Sequence, residues 1–193
     1  MKLYDISQEV FSCRVYPGDP KPEKKSLCVM EDGDLYNLTA FSMCAHNGTH
    51  IDAPFHFLKD GKSVEDIPLE VFVGSCYVAR LEGTVSAKEA KAILQKSQGS
   101  RRILLAGPVT VLADGAKVFA ESGVCLLGNE SQTVGPENAP MEVHKILLSK
   151  EIVLLEGIVL KNVPEGRYVL HAVPLLLAGG DGAPCRAYLI EEG

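Results

Sequence analysis

Four side chains able to hold a cation or move a proton fall within eleven positions: His46, His50, Asp52 and His56, in the stretch HNGTHIDAPFH. The chain has five histidines, and three of them are here. A four-residue spacing would stack His46 and His50 on a helix face. Asn47-Gly48-Thr49 between them and Pro54 beyond oppose a regular helix. An extended chain fits better from His50 onward. His50, Asp52 and His56 then share parity and point to one side of a strand, while Gly48 lets the backbone bend and swing His46 to the same place. Two imidazoles and a carboxylate suit Zn²⁺, Mn²⁺ or Fe²⁺, with positions left for water and substrate. A lone histidine on an apolar segment is ordinarily packing. Three of them with an aspartate, in one turn shaped by glycine and proline, point to a metal site.

The remaining histidines are His144 and His171. His144 lies in PMEVHKILL, where Pro140 can open a helix at its first position and carry Glu142 to Leu148. Glu156 ends the apolar run EIVLLEG, where a carboxylate must be paired, ligating or exposed at the strand tip. Spacing alone does not turn His144 and Glu156 into neighbours. His171, inside YVLHAVP, reads as structural.

These side chains must be carried by short elements. CVMEDGDLYNLTAFSMCA reads as two strands around a turn at Asp32-Gly33 or Gly33-Asp34. CYVARL, RILLAG, VCLLG, EIVLLEG, YVLHAVPLLL and CRAYLI are further strand candidates. Ser86-Ala-Lys-Glu89 is a capping box with Ala90, Ile93 and Leu94 at helical spacing behind it. A second helix is expected over 116–122, with Gly123 following as its C-terminal stop. Tyr16–Lys25, YPGDPKPEKK, reads as a surface loop or arm. Strands outnumber helices, so the expected class is mixed α/β.

Composition sets the outer bounds. The chain has 193 residues, 46% of them hydrophobic, enough to bury a full core without staples. Its net charge of −6 is spread along the chain with no basic run, so the footprint of nucleic-acid or anionic-membrane binding is missing. The six cysteines, Cys13, Cys28, Cys44, Cys76, Cys125 and Cys185, form no C-x-x-C pair. They read as reduced, packed thiols. Cys44, two residues before His46, also reads as packing rather than as a ligand. MKLYDISQEV has no apolar signal core, and no segment reaches about 18 uninterrupted apolar residues. The expectation is a cytoplasmic protein.

HNGTHIDAPFH resembles the H-x-G-T-H-x-D-x-P-x-H signature of the cyclase family of metal-dependent hydrolases, which includes bacterial kynurenine formamidases and isatin hydrolases. DISQEV, VYPGDP, SVEDIPLEVFVG, LLGNESQTVGP, HKILL, IVLLEGIVLKNVPEGRY and LLLAGGDGAPCRAYL fall in that family's order. The resemblance thus spans nearly the full chain. It implies the swivelling β/β/α fold of the α/β class, as one domain over 1–193, assembled as a homodimer or homotetramer. It implies one or two divalent ions per chain, Zn²⁺ first and Mn²⁺ as the alternative. His46, His50 and Asp52 would bind the first ion. Asp52 would bridge to a second, completed by His144 and Glu156. His56 would stay off the metal as the catalytic acid/base, and Tyr16 falls where formamidases carry an aromatic residue lining the pocket. Such ions acidify water and polarise carbonyls, and a histidine titrating near neutrality can pass a proton to a leaving amine.

Three departures bear on substrate. The chain has no tryptophan, so the aromatic position is Tyr16. Asn129 stands where relatives commonly have Asp. The segment Gly107 to Ala113 is shorter than one that helps wall the formamidase pocket. The implied activity is hydrolysis of an aryl formamide such as N-formylkynurenine, on a small-molecule substrate with no nucleic-acid or membrane partner. A hydrolase of a cyclic amide or lactone, isatin hydrolase-like, is the alternative. A non-catalytic metal-binding protein would need a closed coordination shell and would leave His56 without a role.

Overall fold

The computed structural model describes residues 1–191 of the chain. The first strand, β1 (Lys2–Asp5), is followed by a ribbon of β2 (Glu23–Cys28) and β3 (Leu38–Ser42), then by the short β4 (His50–Asp52). A single helical turn α1 (Leu69–Phe72) leads into β5 (Val73–Arg80) and β6 (Gly83–Val85). Helix α2 (Ala87–Ser97), β7 (Arg102–Ala106), β8 (Val109–Val111) and α3 (Ala113–Ala120) come next. The chain then runs through β9 (Leu126–Asn129), α4 (Met141–Leu148), β10 (Val153–Glu156), β11 (Gly166–His171), β12 (Gly182–Pro184) and β13 (Tyr188–Glu191).

Nine of these strands form one sheet in the order β1-β13-β11-β5-β7-β9-β10-β4-β12. Its centre, β5-β7-β9-β10, is parallel. Parallel strands are covered on both faces and so read as apolar runs, which is what residues 103–106, 126–128 and 153–155 are, with a polar residue, Arg102, Asn129 or Glu156, at one end of each strand. Alternate residues feed two cores. Leu104, Ala106, Val153, Leu155 and Ile51 enter one. Ile103, Leu105, Leu127 and Leu154 enter the other, against Ala90 and Ile93 of α2, Phe119 of α3 and Val143 and Leu147 of α4. Each buried Leu or Ile contributes about 1.5–3 kcal/mol relative to exposure. Among the described residues, no helix is long and apolar enough to cross a membrane, and the six cysteines are free.

The strands expected from CYVARL, RILLAG, VCLLG and EIVLLEG are present, and the capping box of α2 forms as read, with Lys88 N–H donating to Ser86 Oγ and Ser86 N–H to Glu89. Four boundaries differ. The ribbon's first strand begins at Glu23, inside the stretch read as a loop, because the turn is wider than a two-residue hairpin. The Asp34 and Asn37 side chains accept the backbone N–H groups of Val29 and Met30 at 2.7 and 2.9 Å and close a nine-residue connection. Helix α3 starts at Ala113, three residues earlier than read, with Asp114 Oδ2 accepting from Ala87 N–H at 3.0 Å and tying it to α2. Pro140 is the cap of α4 rather than its first residue. Of YVLHAVPLLL, only the portion to His171 is strand.

Ile51 sits between His50 and Asp52, fully buried on the opposite face of β4. Ile51→Ala is expected to cost about 2–5 kcal/mol, read as a lower urea midpoint for the metal-free protein. A change under about 0.5 kcal/mol would mean that β4 is not anchored by this core.

Candidate metal centre

The turn HNGTH is pinned by its own polar atoms. Gly48 adopts a φ of 64°, a conformation that favours glycine. Thr49 donates to the Gly157 carbonyl at 2.7 Å and accepts Gln8 N–H at 2.9 Å. Beyond the turn, β4 pairs with β10 and β12, so His50 lies opposite Glu156 and Pro184, and Asp52 opposite Leu154 and Gly182. The strand ends at Asp52. Pro54–His56 is a 3-10 turn, so His56 reaches the site by turning back and not by the strand parity expected of it.

Asp52 is the hub. His46 Nδ1 lies 2.8 Å and His50 Nε2 3.3 Å from Asp52 Oδ1, and His144 Nε2 lies 3.5 Å from Oδ2. Glu156 faces the same space, 3.3 Å from His144 Nε2 and 3.7 Å from His50 Nε2, with Val134 N–H holding its Oε1 at 2.7 Å. Asp52 and Glu156 are 1% and 2% exposed, a depth at which unpaired carboxylates are strongly disfavoured. His144 arrives from α4, one turn beyond Pro140.

The ring nitrogens show what the cluster is built to hold. His50 Nδ1 donates to the Gly48 carbonyl at 3.0 Å, and His144 Nδ1 to the Pro140 carbonyl at 2.9 Å. Each neutral ring therefore turns the lone pair of Nε2 towards carboxylate oxygens. Lone pairs facing carboxylates call for a cation between them, a proton or a metal ion. Ligand atoms of His50, Asp52 and Glu156, and of His46, Asp52 and His56, lie within 4.8 Å of one another. A divalent ion fits these donors.

The electrostatics agree. Burial opposes charge on Asp52, yet hydrogen bonds from His144, His46 and His50 hold its carboxyl well below the usual range. Burial would lower His46, but Asp52 and Asp181 outweigh it and push it up to about 10. His144, likewise buried, is pushed up to about 10 by Asp52 and Glu156. His56 goes the other way. Burial lowers it, with the Asp52 charge offsetting only part.

A cavity of about 260 Å³ opens on the cluster, lined by His46, His50, His56, His144 and Glu156, with Tyr16, Phe57 and Pro140 as its apolar wall. Tyr16 donates its hydroxyl to the Glu137 carbonyl at 2.7 Å, so the OH is engaged on the protein side. Cys44 lines the cavity without joining the ligand groups. Asn129 is buried and donates to the Thr133 carbonyl at 2.9 Å, bracing the turn before Val134. His171 stacks on Tyr188 at 4.8 Å, remote from the site. Of the short segment Gly107–Ala113, none lines this cavity. Gly107 and Val109 border another one beside Glu82 and Glu130. Asp181 was not singled out from the sequence, and it contacts His46 and His56 at 3.0 and 3.3 Å. The only sequence signal was a carboxylate between glycines in GGDGAP.

Comparison with known proteins gives a consistent set of likenesses. Residues 4–106 match the family described as "Putative cyclase". The chain is 35% identical to a kynurenine formamidase of Salinibacter ruber, over 98% of this chain and 97% of that protein. It superposes on a structure described as a "potential metal-dependent hydrolase with cyclase activity" with a TM-score of 0.84 at 28% identity, covering 100% and 99% of the two chains. Isatin hydrolase A of Labrenzia aggregata shares the fold, with a TM-score of 0.86 at 20% identity over 99% and 94%.

Because His46 and His144 hold protons up to about 10, zinc titrated into metal-free protein is expected to release protons and to bind more tightly as pH rises from 6.5 to 10. The same raised values stabilise the metal-free fold fully below 6.5, the histidine's ordinary value, and that contribution is lost as pH rises through about 10. Calorimetry in two buffers of different ionisation enthalpy counts the protons. Release of none would contradict this assignment.

Proposed function

The chain belongs to the cyclase family, and on that premise we propose that it is a metal-dependent amide hydrolase of the arylformamidase type, acting on N-formylkynurenine or a related aryl formamide. The observation that carries this reading is the state of His56: it lies within ligand reach of His46 and Asp52, yet it is neutral, tied through Nδ1 to Asp181, and keeps Nε2 free of any protein partner among the described residues. In this reading His46, His50, Asp52, His144 and Glu156 hold one or two ions, zinc or alternatively manganese. A bound divalent ion supplies Lewis acidity, acidifying water and polarising the formyl carbonyl.

His56 supplies the proton traffic. Its neutral Nε2 accepts a proton as water adds to the formyl carbon, then returns it to the aniline nitrogen as the C–N bond breaks, giving formate and the free amine. Phe57 packs against the His56 and His144 rings, at 4.5 and 4.7 Å between centroids, and helps hold both in place. The Tyr16 ring offers a stacking face for a flat substrate. An adjoining cavity of about 450 Å³ shares Tyr16, Gln132 and Thr133 and adds Arg14. Together with Asp19 in the first cavity, it offers opposite charges for an amino-acid arm. That feature favours formylkynurenine over isatin, which has no such arm.

The same reading places the chain in the cytoplasm as a homodimer or homotetramer. The ribbon β2–β3 exposes Leu27, Leu38 and Phe41, and an isolated two-stranded ribbon is marginal in water. Sedimentation is expected to show a species of at least twice 20.8 kDa. A monomer at micromolar concentration would remove this part.

Zinc-loaded protein is expected to convert N-formylkynurenine, followed by kynurenine absorbance, faster than it opens isatin. His56→Ala is expected to lower kcat about 10²–10⁴-fold with the metal retained. No turnover of either substrate, with His56→Ala indistinguishable from the parent, would overturn the reading.

A further inference from the structure

Four imidazoles border the site, and each commits one nitrogen to an oxygen outside the ligand cluster. His50 and His144 use backbone carbonyls. His46 and His56 use one and the same oxygen: Asp181 Oδ2 lies 3.0 Å from His46 Nε2 and 3.3 Å from His56 Nδ1. A carboxylate only accepts, so in the neutral rings both of these nitrogens carry the hydrogen. That leaves the lone pair of His46 Nδ1 aimed at Asp52 and the lone pair of His56 Nε2 free. The two rings stack at 4.0 Å with 29° between their planes, spanned at one edge by this carboxylate.

The backbone holds Asp181 in place for this. Its carbonyl accepts Ala53 N–H at 2.9 Å, just beyond β4. The next residue, Gly182, lies so close to His46 that a Cβ would stand 2.5 Å from the ring's Cε1. A backbone carbonyl can orient one ring. A carboxylate at this corner orients two.

We propose that Asp181 is a positioning residue acting through both histidines at once, directing His46 Nδ1 at the ion and setting the His56 tautomer whose Nε2 exchanges protons with water and the leaving amine. It rests on the metal-dependent hydrolase reading. The test uses Asp181→Ala, Asp181→Asn, His56→Ala and the Asp181→Ala/His56→Ala double variant of the full chain. Asp181 has a half-exposed side chain, and circular dichroism establishes that each variant folds. In metal-free protein, long-range ¹H–¹⁵N spectra are expected to show His56 as the Nδ1–H tautomer, shifting to Nε2–H in Asp181→Ala. Zinc affinity is expected to fall about 10–100-fold. In the loaded enzyme kcat is expected to fall by a similar factor, about 10–100-fold, with KM little changed, and the His56→Ala background is expected to absorb that loss. Asp181→Asn, whose amide oxygen still accepts but without charge, is expected to lie between. An unchanged tautomer and zinc affinity in Asp181→Ala, or an equal kcat loss with and without His56, would overturn the proposal. If the parent hydrolyses neither substrate, the hydrolase reading fails, while the tautomer and the zinc affinity still decide the role of Asp181.

Discussion

A carboxylate at 1% exposure has to be surrounded by groups that stabilise its charge, and the architecture around Asp52 follows from that requirement. Three imidazoles approach its two oxygens, and a second buried carboxylate, Glu156, stands across from it. Two negative groups so close and so deep repel each other unless positive charge lies between them. In the metal-free protein the proton on His144 lies between them, and the one on His46 lies between Asp52 and Asp181, which is why both rings hold their protons far above the ordinary value. The cluster is therefore a cation site whichever cation occupies it. Under the proposed function a metal ion would take the place of those protons, at nitrogens already oriented by their other hydrogen bonds.

The sheet makes this convergence possible with little long-range machinery. The short β4 lies between β10 and β12, antiparallel to both. Its register sets His50 opposite Glu156, and sets Asp52 opposite Gly182, whose neighbour is Asp181. Residues about a hundred positions apart thus meet as cross-strand neighbours, and α4 adds His144 from the face it already covers with Val143 and Leu147. Ile51, pointing the opposite way, ties the strand to the core it shares with Leu104 and Leu155. Because side chains alternate across a strand, one strand of three residues both anchors the sheet and presents two polar side chains to the site.

How much of this was legible depended on whether a feature was local. The convergence of His46, His50 and Asp52 could be read because these side chains lie within one short turn, and the apolar runs could be read because central parallel strands are covered on both faces. The capping box of α2 was equally local. His144 and Glu156 were candidates by residue type, but their approach to Asp52 depends on strand order, which spacing does not encode; only the family resemblance joined them. His56 shows the opposite limit. Strand parity ends before Pro54, where the chain turns, so it does not reach His56. Asp181 escaped because nothing around GGDGAP is apolar or periodic enough to say which way its carboxylate points.

Glycine explains why two of these distant carboxylates can be brought so near. Glu156 is followed by Gly157 and Asp181 by Gly182. A Cβ at Gly157 would stand 2.1 Å from the Gly48 carbonyl and from Gln132 Nε2; one at Gly182 would stand 2.6 Å from the Ile51 carbonyl as well as against His46. Both distances are shorter than any real Cβ contact, so any side chain at either position would push the turn HNGTH away from the β10 end or lift β12 off the His46 ring. Movements of an ångström would break a site whose polar contacts with Asp52 span 2.8–3.5 Å. The glycines flanking the acidic residues are therefore part of the same constraint as Asp52 itself: they let backbone approach backbone closely enough for one buried charge to be enclosed from three directions.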